Sequence, residues 1–106
     1  MGTGSILIIN RTMKLYIKDI VKDTYTNASG DVLLSALQGY FQNGQPIILS
    51  FKDTTPPSTS FLNSSVGELL DKYGFTKFKS LVKFVDMTVT QSQVLKNYFH
   101  SSDLKS

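Results

Sequence analysis

A chain of 106 residues with a hydrophobic fraction of 41% is long enough for one domain with a single core and too apolar to stay disordered. Without cysteine it can form no disulfide framework, thiolate metal site or Cys nucleophile, which fits a reducing cytoplasm. The formal charge is +3, from eleven Lys+Arg against eight Asp+Glu; all but Arg11 are lysines spread along the chain, so a base-reading nucleic-acid surface is not expected.

The start, Met1 to Ser5, lacks the basic region of a signal peptide and reads as a disordered stretch or an expression remnant. A myristoylation pattern would need a hydroxyl where Ile6 stands. No apolar run approaches the roughly 20 residues that span a bilayer. Ile6 to Ile9 is a short apolar run of strand type. In the next run Met13, Leu15 and Ile17 alternate with Lys14, Tyr16 and Lys18, the pattern of a strand with one buried face. Asn10-Arg11-Thr12 could turn a hairpin between the two. After a polar connection over 22–27, Ser29 or Asp31 offers an N-cap, and Leu33, Leu34, Leu37, Tyr40 and Phe41 trace one face of a helix that Asn43-Gly44 ends.

Pro46 to Phe51 is nearly continuous in apolar residues, as a central strand covered on both faces would be, with Pro46 at its first position. A polar loop follows, Lys52 to Ser60, which passes a proline pair and ends in three hydroxyls, Ser58, Thr59 and Ser60. Leu62, Val66, Leu69, Leu70 and Tyr73 then trace a second helix that starts near Ser58 to Ser60 and is closed by Gly74. Lys79 to Val85 supplies a further strand. Thr88 or Thr90 caps a third helix lined by Val94, Leu95, Tyr98 and Phe99, and residues 101–106 form a polar, fraying tail. Strands alternating with helices call for a mainly parallel sheet, with its contact surface beyond the carboxyl ends of the strands. Those ends are the Lys52 to Ser60 loop and the Asp86 to Thr90 loop.

Chemistry-bearing constellations are sparse. His100, the single histidine, has no carboxylate near it in sequence and reads as a surface residue stabilised by a helix end. Asp19, Asp23 and Asp31 are too loosely spaced for a metal site. The glycines at 30, 39, 44, 67 and 74 form neither a dinucleotide fingerprint nor a phosphate-cradling loop. No catalytic set, metal or cofactor is therefore expected.

Ser29-Gly30 before a helix, then Gly44-Gln45-Pro46-Ile47-Ile48-Leu49-Ser50-Phe51, a short loop, and Ser60-Phe61-Leu62 opening another helix resemble the STAS-like domain family of bacteria, the DUF4325 type. The resemblance runs from Met13 to Phe99. It implies one α/β domain over 1–106, a four- to five-stranded mixed sheet with about three helices packed on it. It also implies a regulatory, non-enzymatic, cytoplasmic role like that of the related anti-sigma-factor antagonists. In those proteins a serine at the start of the helix after an Asp-Ser-Ser/Thr-Gly loop is phosphorylated by a GHKL-type ATPase or kinase. Laid on this chain, that pattern makes Ser60 the phosphoacceptor candidate and Thr59 its neighbour, with Lys52, Asp53, Thr54, Thr55 and Ser58 forming the partner- or ligand-binding loop. Several residues depart from the pattern. Ser58 stands in place of an acid and Phe61 in place of glycine, although Ser-Phe is the usual form in this branch. Ser50 stands where Asp is common, and Asn63-Ser64 where acids are frequent. Two other readings stay open for the hydroxyls: simple N-caps, worth about 1 kcal/mol, or an anion or nucleotide sensor at the same helix start. The chain is expected as a monomer or as a homodimer paired through an exposed edge of the first strand, with no nucleic-acid or membrane partner.

Overall fold

The computed structural model describes the backbone of residues 12–105 and side chains through Ser101. Strand β1, Met13–Tyr16, is followed by the single helical turn α1, Ile17–Ile20. Next come helix α2, Asn27–Gln42, and strand β2, Ile47–Ser50. Three short helices follow, α3 (Thr59–Ser64), α4 (Val66–Tyr73) and α5 (Phe75–Leu81). Strand β3, Val82–Val85, and the long helix α6, Val89–Lys105, complete the described chain.

The sheet has the order β1-β2-β3, and both pairings are parallel. Leu15, Leu49 and Phe84 stand in one row; Lys14, Ile48 and Lys83 stand in the next, on the opposite face. Among the described residues this is three parallel strands and six helical segments, not a four- to five-stranded mixed sheet with three helices. The expected strand Ile6 to Ile9 and the hairpin turn at Asn10-Arg11 lie outside the described residues. The expected central position of the Pro46 to Phe51 run holds. Pro46 sits just before the strand, where its carbonyl accepts from the Met13 N–H at 3.2 Å and its missing donor costs nothing.

One face of the sheet builds the core. Ile47, Leu49 and Val82 are buried with Leu33, Leu37 and Phe41 of α2, Phe61 and Leu62 of α3, Val66 and Leu69 of α4, Phe78 of α5 and Leu95 of α6. Leu15 and Phe84 pack against this cluster, whereas Tyr16, Ile48 and Val85 of the other face do not belong to it. β2 is therefore buried on the core face at Ile47 and Leu49; on its other face Ser50 is buried and Ile48 half-buried, so the expected two-sided cover is met only in part.

The helix boundaries differ from the sequence reading for local reasons. Thr26, not Ser29 or Asp31, caps α2: its hydroxyl accepts from the Ser29 N–H at 3.2 Å. The Asp23 carboxylate fixes that cap by accepting from the Thr26 N–H at 3.0 Å and the Thr26 hydroxyl at 2.9 Å. Ser29 and Gly30 thus fall inside the first turn, both buried. The helix expected to run unbroken to Tyr73 divides at Ser65 (φ −119°, ψ −80°), whose hydroxyl donates back to the Phe61 carbonyl at 2.8 Å. Gly74 closes α4 as expected, at φ 87° and ψ 158°, a conformation open essentially to glycine alone. It also starts α5, which replaces the first part of the expected Lys79 to Val85 strand. Phe75 and Phe78 drive that helix, since both reach Phe99, with ring centroids 6.0 and 5.8 Å apart. Finally, α6 continues to Lys105, so the segment read as a fraying tail is helical backbone.

Candidate functional site

The carboxyl ends of the three strands are joined by polar side chains rather than left loose. Ser50 is fully buried; its hydroxyl donates to the Asp86 carboxylate at 2.6 Å and accepts from the Lys52 N–H at 3.1 Å. Asp86, at the end of β3, also lies 3.7 Å from the Lys14 ammonium. Ser50 thus reaches an acid on the neighbouring strand end, Asp86. The Ser50 hydroxyl is the largest influence and holds the Asp86 carboxyl below its ordinary value; desolvation opposes it, and the charges of Lys14 and Lys52 add smaller lowering effects.

The loop from Lys52 to Ser60 is pinned at several points. The turn Phe51 to Thr54 closes through the Thr54 N–H to the Phe51 carbonyl at 3.1 Å and leaves Asp53 at φ 58°. Asp53 pairs with Lys18 at 3.0 Å, although both are exposed and such a pair contributes little. Thr54 donates to the Phe51 carbonyl at 2.7 Å, and its own carbonyl accepts from the Gln91 amide at 2.7 Å. Gln91 is 1% exposed and belongs to a reciprocal cap of α6: the Thr88 hydroxyl accepts from the Gln91 N–H at 3.1 Å while the Gln91 side chain accepts from the Thr88 N–H at 2.9 Å. On the other side Thr55 shares a 2.9 Å hydroxyl contact with buried Thr24, whose hydroxyl lies 3.0 Å from the Thr55 carbonyl. Lys52 is exposed.

The three hydroxyls divide by role. Ser58 is the N-cap of α3: its hydroxyl accepts from the Phe61 N–H at 3.1 Å and donates to the Tyr25 carbonyl at 2.9 Å, while its N–H donates to the Thr24 carbonyl at 3.0 Å. Thr59 and Ser60 occupy the first two helical positions and are exposed. Helix α3 itself is held by Gly30: a Cβ there would stand 2.6 Å from the Phe61 carbonyl oxygen and 2.6 Å from the Ser64 Cβ. Only glycine lets α2 and α3 cross at that distance, which gives the Ser29-Gly30 pair a packing role.

Between the α1–α2 connection and the loop lies an open cleft of about 250 Å³, lined in part by Lys18, Lys22, Asp23, Tyr25, Asp53 and Thr55. Tyr25 is 64% exposed at its edge. The cleft draws together Asp53 and Thr55 with residues that sequence reasoning passed over, Thr24 and Tyr25 among them. Asp86 falls in the Asp86 to Thr90 loop expected to carry the contact surface, whereas Lys14 and Gln91 were likewise missed as parts of the site. Of these only Gln91 had a local signal, the Thr88-x-x-Gln91 capping box. His100 is exposed on α6, and no group of three or more metal-ligating side chains occurs among the described residues.

The sequence model of the STAS-like domain of unknown function (DUF4325) matches residues 29–91, more than half of the chain. The chain belongs to this family. The match begins at the buried start of α2 and ends at Gln91, so it contains the Gly30 crossing, the central strand, the hydroxyl loop and the clasp that holds that loop in this STAS-like domain. No curated protein and no solved structure matches the chain significantly. No helix among the described residues is long and apolar enough to cross a membrane.

Proposed function

We propose that this STAS-like domain is a non-catalytic regulatory protein-interaction module of the bacterial cytoplasm. Its contact surface is the Lys52 to Ser60 loop with the outer side of α3, and it is switched by phosphorylation of Ser60. The observation that carries this reading is the division of the hydroxyls. Ser58 is consumed as a cap, whereas Ser60 and its neighbour Thr59 stand exposed in the first turn of α3, beside a loop that hydrogen bonds pin at several points. A phosphate adds about −1.5 to −2 charges to a surface whose exposed loop charges, Lys52 and Asp53, are opposite in sign, with Asp53 already paired to Lys18. Such a change can expel one partner and recruit another. The partner class follows from the family resemblance: a GHKL-type ATPase or kinase. Incubation with such a kinase from the same genome and ATP, followed by mass-spectrometric site mapping, is expected to place phosphate on Ser60 and to lose it in Ser60→Ala. Phosphate on Ser58, or labelling unchanged in Ser60→Ala, overturns the switch.

The cleft beside the loop supports a second reading, a sensor of a small organic anion. Asp53 is paired with Lys18 and Asp23 is occupied by the α2 cap, which leaves the Lys22 ammonium and the exposed Tyr25 ring to receive a ligand. A thermal-shift screen of nucleotides and carboxylates distinguishes the two readings, because a bound ligand raises the melting temperature. Lys22→Ala is expected to abolish any such shift.

A further inference from the structure

The chain between Asp71 and Asp86 holds four lysines, Lys72, Lys77, Lys79 and Lys83, and no carboxylate. All four are exposed, and among the described residues none lies within ion-pair distance of an acid. Folding gathers Lys72 and Lys77 over one ring. The ammonium groups of Lys72 and Lys77 lie 5.7 and 5.6 Å from the centroid of the same ring, Tyr73, and Lys79 lies 5.2 Å from that of Phe75. These three ammonium groups are thus held against aromatic rings by cation–π attraction. Lys83, two residues beyond α5, continues the run onto the sheet face that the core does not use. The ring beneath Lys72 and Lys77 stacks on Phe41 near the end of α2, and α5 leads into the start of β3. The patch therefore lies toward the amino ends of the strands, away from the hydroxyl loop.

We propose that this lysine patch is a second docking surface, and that its partner is an acidic, Asp/Glu-rich protein segment. Charge complementarity selects an anion, and the chemistry of the patch selects carboxylates over a nucleic acid. Tyr73 is committed to Phe41 at 5.1 Å and Phe75 to Phe99 at 6.0 Å, and ammonium groups cover both rings, so neither offers a free face for base stacking. Every cation here is a lysine, a compact charge without the fork that reads base edges or grips phosphate in two places. Carboxylates on a flexible segment need only point charges at matching spacing.

The test titrates the isotope-labelled wild-type chain, by NMR at low salt, with a short Glu/Asp-rich peptide, and separately with a single-stranded oligonucleotide of equal charge and with anionic lipid vesicles. The peptide is expected to shift the amides of α5 and the ends of α4 and β3. Replacing the four lysines by glutamine is expected to weaken its binding about tenfold or more, whereas Lys96→Gln on α6 leaves it unchanged. The single variant Lys77→Gln, expected to weaken binding about twofold, serves if the quadruple variant does not fold. Peptide shifts elsewhere, affinity unchanged on removing the lysines, no binding by the wild type, or tighter binding of the oligonucleotide or vesicles through the same lysines each overturns the proposal.

Discussion

Two glycines of the same helix should answer the same substitution with opposite signs. Gly39 sits in the last turn of α2 with nothing within 4 Å of a built Cβ, so Gly39→Ala meets only the helix-propensity gain of about 0.5–1 kcal/mol. Gly30 would gain the same amount locally. Its Cβ, however, would stand 2.6 Å from a backbone carbonyl of α3, which no rotamer change can move. The two helices must then separate, and forced overpacking of this kind costs about 1–3 kcal/mol. Because α3 holds Phe61 and Leu62, both buried, the separation would open the core beside them. Gly30→Ala should therefore be destabilising by roughly 1–2 kcal/mol net, a melting temperature lower by about 5–15 °C for a domain of this size. Gly39→Ala should raise it by a few degrees. Thermal unfolding followed by circular dichroism measures both. If Gly30→Ala is as stabilising as Gly39→Ala, the close crossing of α2 and α3 is wrong.

The remaining predictions concern the site and its supports. Ser58→Ala should lower stability by about 1–2 kcal/mol through loss of the α3 cap, whereas Ser60→Ala should change it by less than about 0.5 kcal/mol; equal effects in chemical denaturation would refute the division of roles. Gly67→Ala brings a Cβ to 2.5 Å from the Tyr98 hydroxyl, which bonds Asn63 at 2.8 Å, so it should be destabilising in the wild type by about 1 kcal/mol. In a Tyr98→Phe background the obstructing oxygen is gone, and the same change should turn neutral or favourable; additivity of the two would count against the contact. The Asp86 carboxyl is held below its ordinary value of 3.8, chiefly by the Ser50 hydroxyl. A depressed carboxyl contributes stability that is complete above its unfolded value and is lost as pH falls through the folded one. Melting temperature should therefore decline below about pH 4, and Asp86→Asn should make that acid decline shallower; an unchanged acid limb would refute the coupling.

The parts of the fold that were legible in the sequence are those set by local periodicity. Leu33, Leu37 and Phe41 announce α2, and Pro46 to Ser50 announces the central strand, because burial of one stripe or one run leaves a repeat in the residues themselves. The break at Ser65 left no such trace. Leu62, Val66 and Leu69 keep helical spacing straight through it, and the hydroxyl that divides the helix is recognisable only once it bonds the Phe61 carbonyl. α5 was hidden for the opposite reason: Lys77, Phe78 and Lys79 alternate as a strand would, and only contact with Phe41 and Phe99 makes the segment helical. At the site, the placing of the hydroxyls at a helix start came from the residues. The assignment of Ser58 as cap needed the Tyr25 carbonyl, and the role of Ser50 needed Asp86, 36 residues away. Pairings of that span are decided by the sheet and leave no pattern in the chain.

The Gln91 side chain gives the hydroxyl loop a mechanical neighbour. One amide at the root of α6 holds Thr54 twice, through its carbonyl at 2.7 Å and its hydroxyl at 3.2 Å, so the start of that helix and the loop are tied at one residue. A chain shortened before residue 91 would keep all three strands and lose this tether. α6 therefore anchors the hydroxyl loop as well as covering the core.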